Sequence, residues 1–142
     1  MRLIYFQRKK VSNERVHRWC DLVRYTSLYK EPIAEICEVR ETSYLIRFMN
    51  GNFAKVTSKE IKPIPLTTDI LEKNGWKTQN GSYYYLNVAK GFISYVGIDF
   101  KHKSDKGQLY VEIDGNNIAE IQYCHELKHL FFGLGLNHEM EV

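Results

Sequence analysis

The chain has 142 residues, of which 44% are hydrophobic and 26% charged, and 20 basic against 17 acidic side chains give a net charge of +3. This apolar fraction can fill a packed core, so the composition excludes a wholly disordered chain, and the length fits one domain or two very small ones. No apolar run reaches the ~18 residues of a membrane span, and Leu3–Phe6 is too short for a signal peptide, so we expect no membrane contact.

The three cysteines are Cys20, Cys37 and Cys124, and no two of them form a CxxC pair. Their odd number and wide spacing favour buried, reduced thiols over a disulfide framework or a four-cysteine zinc site. We therefore expect a cytoplasmic protein.

The charge is distributed unevenly along the chain. Residues 1–30 carry eight basic side chains against two acidic ones, whereas residues 106–142 carry two basic against six acidic. A basic N-terminal part either contacts an anionic partner or is a solvated arm, and we favour the arm because nucleic-acid modules usually have a larger basic excess. Nucleic acid remains the alternative partner, and its candidate contacts are Arg8, Lys9, Lys10, Arg15, Arg18, Arg24 and Arg47.

Residues 1–18 are polar and basic, and we predict an N-terminal arm there. A strand-like pattern begins at Trp19 and covers residues 20–25, 33–39, 42–48 and 53–56, with a hairpin turn at Asn50-Gly51. Four or five short strands within about 45 residues, joined by tight turns, are typical of a small twisted barrel. We predict an SH3-like β module over residues 19–61.

Two prolines, Pro63 and Pro65, mark the boundary between the first β region and the rest of the chain. Proline has a fixed φ angle and no N–H group, so this stretch should be extended and should not lie inside a sheet. A short helix should follow, capped by Thr67 or Thr68 and ended by Gly75. We predict a connector with a short helix over residues 62–75.

Residues 76–142 combine a second β region with a helix. Strand patterns cover residues 82–88, 91–100, 109–113 and 118–122, with an Asn80-Gly81 turn before them and a lysine-rich loop at 101–107. The last pattern is helical and runs from about Tyr123 to Leu134, and its apolar stripe consists of Tyr123, Leu127, Leu130, Phe131 and Leu134. We predict a four-stranded antiparallel meander with the helix packed on it, and hence an α+β, mainly β protein.

Several of these segments together resemble a family of small proteins from bacterial genomes, prophages and mobile elements. The matching features are Lys62–Thr67 (Lys-Pro-Ile-Pro-Leu-Thr), Gly75-Trp76, Tyr83–Leu86, the helix from Tyr123 to Gly135, and a β module that begins like Asp21–Tyr25. The resemblance covers roughly residues 19–136 and leaves residues 1–18 outside. It implies the two-module arrangement and a link to phages or mobile elements, and it implies no particular activity.

His125-Glu126-Leu127-Lys128-His129 matches the HExxH pattern. On a helix, two histidines four residues apart can bind Zn²⁺, and the glutamate can act as a general base on metal-bound water. This pattern makes a zinc-dependent hydrolase a minor alternative, with His125 and His129 as weak metal-ligand candidates.

Three observations weigh against zinc. Only 13 residues follow His129, and the position of a third histidine in the extended metzincin pattern is Gly135. The helical wheel places both histidines opposite the apolar stripe, where we expect them to face solvent rather than a closed cleft. Members of the family that this segment resembles also generally lack the glutamate and the second histidine. We therefore treat the pattern as coincidental and predict no metal, no cofactor and no catalytic residue.

Aromatic side chains provide the remaining candidates. Phe132 falls between His125 and His129 on the wheel, and an exposed Phe among polar groups is typical of a protein contact, although it could also pack under the chain that follows. Alternation along a strand places Tyr83 and Tyr85 on one face if Tyr84 faces the core. These two could stack on bases or anchor a protein interface, but cross-strand packing within the sheet is the interpretation we favour. The lysines of the 101–106 loop could touch phosphate, but we expect a solvated hairpin loop.

The sequence thus predicts a non-enzymatic accessory binding protein that acts through protein–protein contact. Inhibition of a host defence factor is one form that this contact could take. Its interaction candidates are Phe132, His125, His129, Tyr83 and Tyr85. Nucleic-acid binding through the arm and barrel is the alternative, and no small-molecule substrate is evident.

Overall fold

The structure is a computed structural model that describes residues 21–28 and 30–142. The predicted arm, with Arg8, Lys9, Lys10, Arg15 and Arg18, lies outside the described residues. The chain divides into two compact units, with the boundary between Ile64 and Pro65, inside the predicted connector. Within the described part the protein is α+β and mainly β, with an antiparallel sheet in each unit, as the sequence predicts. None of the helices described here is long and apolar enough to cross a membrane.

The first unit is an antiparallel sheet of five short strands. They are β1 (Leu22–Tyr25), β2 (Ile33–Val39), β3 (Tyr44–Phe48), β4 (Phe53–Val56) and β5 (Ile61–Pro63). The strand order is β4-β3-β2-β1-β5, and a short 3-10 helix, Ser58–Glu60, precedes β5. One face of the sheet forms a core of Val23, Ala34, Ile36, Val39, Tyr44, Ile46, Val56 and Ile61.

The predicted closure of this sheet and the predicted start of the connector both need correction. No pairing between the described strands joins β4 to β5, so the sheet has two open edges rather than a closed wall. Lys62 and Pro63, which the sequence predicts as part of the connector, belong to β5, where Pro63 lies opposite Val23. Proline is tolerated there because β5 is an edge strand and needs no second row of ladder hydrogen bonds.

The second unit contains the other sheet and two helices. Its elements are α1 (Thr68–Lys73), β6 (Lys77–Thr78), β7 (Tyr83–Lys90), β8 (Ile93–Lys103), β9 (Leu109–Ile113), β10 (Asn116–Ile121) and α2 (Cys124–Gly133). The strand order is β10-β9-β8-β7-β6. The Thr67 hydroxyl caps α1 by accepting the Ile70 N–H at 3.3 Å. The chain leaves α1 through Gly75, whose φ of +85° is a conformation that favours glycine.

Two predictions about this sheet are wrong. The meander has five strands rather than four, because the two-residue β6 pairs with β7 ahead of the Asn80-Gly81 turn. Residues 101–103, predicted as loop, are the end of β8 beyond an irregularity in its pairing with β9. The Asp99 carboxylate holds this irregularity by accepting the N–H groups of Lys101 at 2.8 Å and His102 at 3.2 Å.

Helix α2 buries one side, as its apolar stripe predicts. Cys124, Leu127 and Phe131 are buried, and the Phe131 ring stacks on Trp76 with ring centroids 6.0 Å apart. The buried part of the stripe is narrower than predicted, since Leu130 and Leu134 are only half-buried. A short segment after α2 returns over this side, and Leu136 is buried there.

Candidate interaction surface

The outward face of the second sheet carries four tyrosines. Tyr84 is buried in the core, so Tyr83 and Tyr85 lie on the opposite face. Register places Tyr95 on that face, because it is opposite Asn87, and Tyr110 also, because it lies opposite Asp99, the partner of Tyr83. We call this surface the tyrosine face and define it by Tyr83, Tyr85, Tyr95 and Tyr110.

Tyr83 is held in place across the neighbouring strands. Its hydroxyl donates a hydrogen bond to Glu112 Oε1 on β9 at 3.1 Å. To reach β9, the ring crosses β8 above Gly97, where a Cβ atom would lie 2.0 Å from the hydroxyl oxygen and 2.6 Å from Cζ. Only a glycine leaves room for the ring at this point, so the sequence of β8 fixes the position of a side chain of β7.

The same surroundings raise the pKa of Tyr83 far above its ordinary value. Partial burial of the hydroxyl is the largest cause, since it disfavours the phenolate, and the hydrogen bond to Glu112 is the next. The Glu112 charge and the neighbouring Tyr95 hydroxyl act in the same direction. Tyr83 therefore keeps its proton at physiological pH and donates it to the hydrogen bond with Glu112.

A shallow concavity of about 330 Å³ lies at the β6–β7 end of the tyrosine face. It is lined by Gln79, Asn80, Tyr83, Tyr85, Asn87 and Tyr95. Asn80 shapes its rim, because the side-chain oxygen accepts the N–H groups of Ser82 at 3.0 Å and Tyr83 at 2.9 Å. Half-buried aromatic rings beside side-chain amides offer both apolar contact area and hydrogen bonding.

Three of the charged groups on this face are acidic, and one of them, Asp99, is already paired with His102, whose Nδ1 lies 2.9 Å from its Oδ2. Asp99 and Glu112 lie among the tyrosines, and Glu120 lies opposite Tyr110. Lys77 lies opposite Tyr85 at the other edge. The local field therefore favours a cationic partner surface over a polyanion.

The histidine pair of α2 does not face solvent as predicted. His125 is only 6% exposed, and its ring stacks on Tyr123 with centroids 5.7 Å apart and planes at 11°. His129 packs edge-on against His125 at 5.5 Å and is half-buried. The wheel failed here because Tyr123 precedes the helix with an extended backbone, φ −119° and ψ 155°, so its ring covers a side of α2 that the wheel assigns to water.

Glu126, the acidic residue of the HExxH pattern, caps the start of α2. Its Oε1 atom accepts the N–H groups of Gln122 at 2.9 Å and Tyr123 at 3.0 Å. A carboxylate in the first helical turn satisfies N–H groups that have no partner within the helix. Zinc sites in proteins use at least three protein ligands, and in the part of the chain that the structure describes, no group of three His, Cys, Asp or Glu side chains could hold a metal.

Phe132 is 46% exposed, and its ring meets that of His138 edge-on at 5.1 Å. The sequence offers an exposed protein contact and packing under the following chain as alternatives for Phe132. Both apply in part, since Phe132 contacts the chain after α2 and still presents an apolar surface. It lies on α2 and is not one of the residues of the tyrosine face.

Two of the nucleic-acid candidates lie within the described residues, on the outward face of the first sheet. Arg47 is opposite Glu35 and forms an ion pair with it, with Nη2 2.8 Å from Oε1. Arg24 donates to the main-chain oxygen of Glu31 at 3.3 Å. Both guanidinium groups therefore contact groups of their own unit.

Sequence reasoning found Tyr83 and Tyr85 but missed Tyr95, Tyr110 and Glu112. Strand register would have revealed them, because alternation from a strand pair in known register assigns each residue to a face. Comparison with protein-family models, curated proteins and solved structures found no significant match. The geometry of the chain alone therefore supports a functional hypothesis.

Proposed function

We propose that this protein is a non-enzymatic binding protein and that the tyrosine face is its surface for protein–protein contact. The observation that carries the proposal is the fixed geometry of Tyr83, whose ring is seated over Gly97 and whose hydroxyl is bound to Glu112. A ring that is already ordered loses little conformational entropy when a partner covers it.

Tyrosine suits a protein contact for reasons of area and chemistry. Each ring offers a large apolar surface with few rotatable bonds, and tyrosine is enriched at protein interfaces. The acidic groups Asp99 and Glu112 favour a partner surface that carries arginine or lysine, which can also stack on the rings. The family resemblance favours a bacterial or phage protein as the partner. Within that class, the first candidate that we propose is a host defence factor.

Nucleic-acid binding is less well supported. Bases could stack on Tyr85 and Tyr95, but their phosphates would then approach Asp99 and Glu112. On the first sheet, the ion pair with Glu35 reduces the attraction of Arg47 for phosphate. Affinity that falls steeply and linearly with salt on a log–log scale would favour this alternative.

We further propose that the first unit has the strand arrangement of an SH3-like module, as a small barrel that stays open between β4 and β5. Its support is the antiparallel run β1–β4, followed by a short 3-10 helix and by β5, which returns beside β1. A register shift between Ile36 and Glu38 in β2 increases local twist, and twist brings distant edges of a small sheet towards each other.

The test is an affinity pull-down from bacterial lysate, with and without nuclease, that compares the wild-type chain with Tyr85→Ala. Phe92→Ala is the matched control, because Phe92 is a fully exposed aromatic residue of the same unit that lies outside the tyrosine face. We expect a stoichiometric protein that survives nuclease, binds Phe92→Ala normally and binds Tyr85→Ala at least tenfold more weakly.

Two results would contradict the proposal. A partner that binds Tyr85→Ala as tightly as wild type would show that the tyrosine face is not the contact surface. If the partner instead loses affinity for Phe132→Ala, the contact surface lies on α2. Recovery of nucleic acid alone, lost on digestion, would establish the alternative function.

A further inference from the structure

Residues 137–142, which we call the strap, are bound to α1 through their main chain. The Asn74 side-chain nitrogen donates to the Glu141 carbonyl oxygen at 2.7 Å, and the Glu141 N–H donates to the Asn74 side-chain oxygen at 2.9 Å. Lys73 Nζ lies 3.4 Å from the main-chain oxygen of Val142. None of these three contacts uses a side chain of the strap, so they would hold another sequence equally well.

Asn74 is oriented for this contact by its own helix. It is the C-terminal cap of α1, and its side-chain nitrogen also donates to the Ile70 carbonyl oxygen at 2.7 Å. One hydrogen of the amide thus fixes its rotation, while the other hydrogen and the oxygen face the strap. This is a preformed two-point contact for an extended peptide bond.

The strap does not fill the groove that it crosses. A cavity of about 490 Å³ remains between the strap, α2 and β7. Its apolar wall is formed by Trp76, Leu86, Leu127, Phe131 and Leu136, and Met140 and His138 line it from the strap. Trp76 and Phe131 are stacked on each other and each is only 5% exposed with the strap in place, so their rings become available to a further ring when the strap leaves.

We propose that this groove is a docking site for an extended peptide segment of a partner protein, which takes the place of the strap. Asn74 holds the main chain of the segment, and an aromatic side chain enters the cavity at the position of Met140. The strap occupies the site in the absence of the partner and makes the same main-chain contacts with a smaller side chain. None of the four tyrosines of the tyrosine face lines this cavity, although Asn87 lines both the cavity and the concavity of that face, and neither proposal depends on the other.

The test uses a synthetic peptide with the sequence of residues 134–142 in which Met140 is replaced by tryptophan. It is titrated against full-length Glu141→Pro, whose strap lacks the N–H donor to Asn74 while Asn74 itself is unchanged. Since the strap no longer competes, we expect an affinity at least tenfold higher than for the wild-type chain. Glu141→Ala keeps the N–H and should behave as wild type. Binding is followed by NMR chemical shifts of the indole of Trp76.

The peptide itself supplies a control that leaves the protein unchanged. A peptide with proline at the position of Glu141 cannot donate to Asn74, and we expect it to bind at least tenfold more weakly. The peptide with the original methionine should also bind more weakly than the tryptophan version, because it leaves the cavity open. Tyr85→Ala should change none of these affinities.

Three outcomes would overturn the proposal. The first is no binding to Glu141→Pro at millimolar peptide, and the second is equal binding of the proline-containing peptide. The third is a dimer of Glu141→Pro in solution that Asn74→Ala abolishes, because the occupant would then be a second copy of this chain. Should Glu141→Pro fail to fold, Met140→Asp releases the strap by placing a charge against the apolar wall and takes its place in each measurement.

Discussion

Gly97→Ala should destabilise the second unit only when the Tyr83 ring is present. An added Cβ would lie 2.0 Å from the hydroxyl oxygen and 2.6 Å from Cζ of that ring, so the ring must leave its position. The displaced side chain then loses its hydrogen bond to Glu112, which is worth about 1–2 kcal/mol at a half-buried carboxylate, and crowding of this kind costs about 1–3 kcal/mol in all.

Alanine also has a favourable effect on a strand. It gains about 0.5–1 kcal/mol over glycine, because it has less backbone freedom to lose on folding. We therefore expect Gly97→Ala to destabilise the wild-type unit by about 1–3 kcal/mol and to stabilise the Tyr83→Ala variant by about 0.5–1 kcal/mol. In Tyr83→Phe it should still destabilise, since Cζ remains in the way.

The assay is urea unfolding followed by the fluorescence of Trp76, in a Trp19→Phe background so that only the second unit is reported. The two substitutions form a double-mutant cycle, and we expect a coupling free energy of about 1.5–4 kcal/mol. Equal effects of Gly97→Ala in the presence and absence of the ring would refute the seating of Tyr83 over β8. They would also remove the observation on which the proposed function depends.

Three further predictions follow from the second unit. Burial and the hydrogen bond to Glu112 raise the pKa of Tyr83 in the folded protein. The stabilisation that the protonated Tyr83 hydroxyl provides should therefore be complete below the unfolded pKa of about 10, and it should disappear as the pH rises through the higher folded pKa. In urea unfolding between about pH 9 and 11, Tyr83→Phe should lose less stability than wild type. Burial raises the pKa of the Cys124 thiol to about 12. Pulse alkylation at about pH 8, read by mass spectrometry, should therefore modify Cys124 more slowly than the half-buried Cys37. Equal rates of modification would contradict the burial of Cys124. Glu126→Ala should cost about 1 kcal/mol in urea unfolding through loss of the cap of α2, whereas Glu126→Gln, which can still accept both N–H groups, should cost much less. Equal costs of the two variants would show that the charge of Glu126, and not its acceptance of the two N–H groups, stabilises α2.

Local sequence determined the secondary structure of this protein well. The turns at Asn50-Gly51 and Asn80-Gly81 lie where glycine supplies the positive φ angle, +90° at Gly51 and +78° at Gly81. The start of α1 follows from Thr67, and the end of α2 lies within one residue of the prediction. Each of these features depends on contacts between residues only a few positions apart, so a single stretch of sequence contains the necessary information.

The candidate site could be predicted only in part. Alternation placed Tyr83 and Tyr85 on the outward face, but the role of Tyr83 depends on Gly97 and Glu112, which reach it through the pairing of three strands. A helical wheel assigns His125 to solvent because it contains no residue from outside the helix, whereas in the structure the ring of Tyr123 stacks on His125. The two-residue β6 is too short to give an alternating pattern, and it forms because β7 provides a partner.

The sequence by itself thus determined the fold class, the approximate elements and which tyrosines could face outward. Only the tertiary structure decided that four tyrosines share one face, that Tyr83 is locked over Gly97 and that the strap leaves a cavity beneath it. The physical reason is that these features arise from side chains far apart in sequence. Their positions depend on strand register and on the path of the chain after α2, and no short window of sequence specifies either.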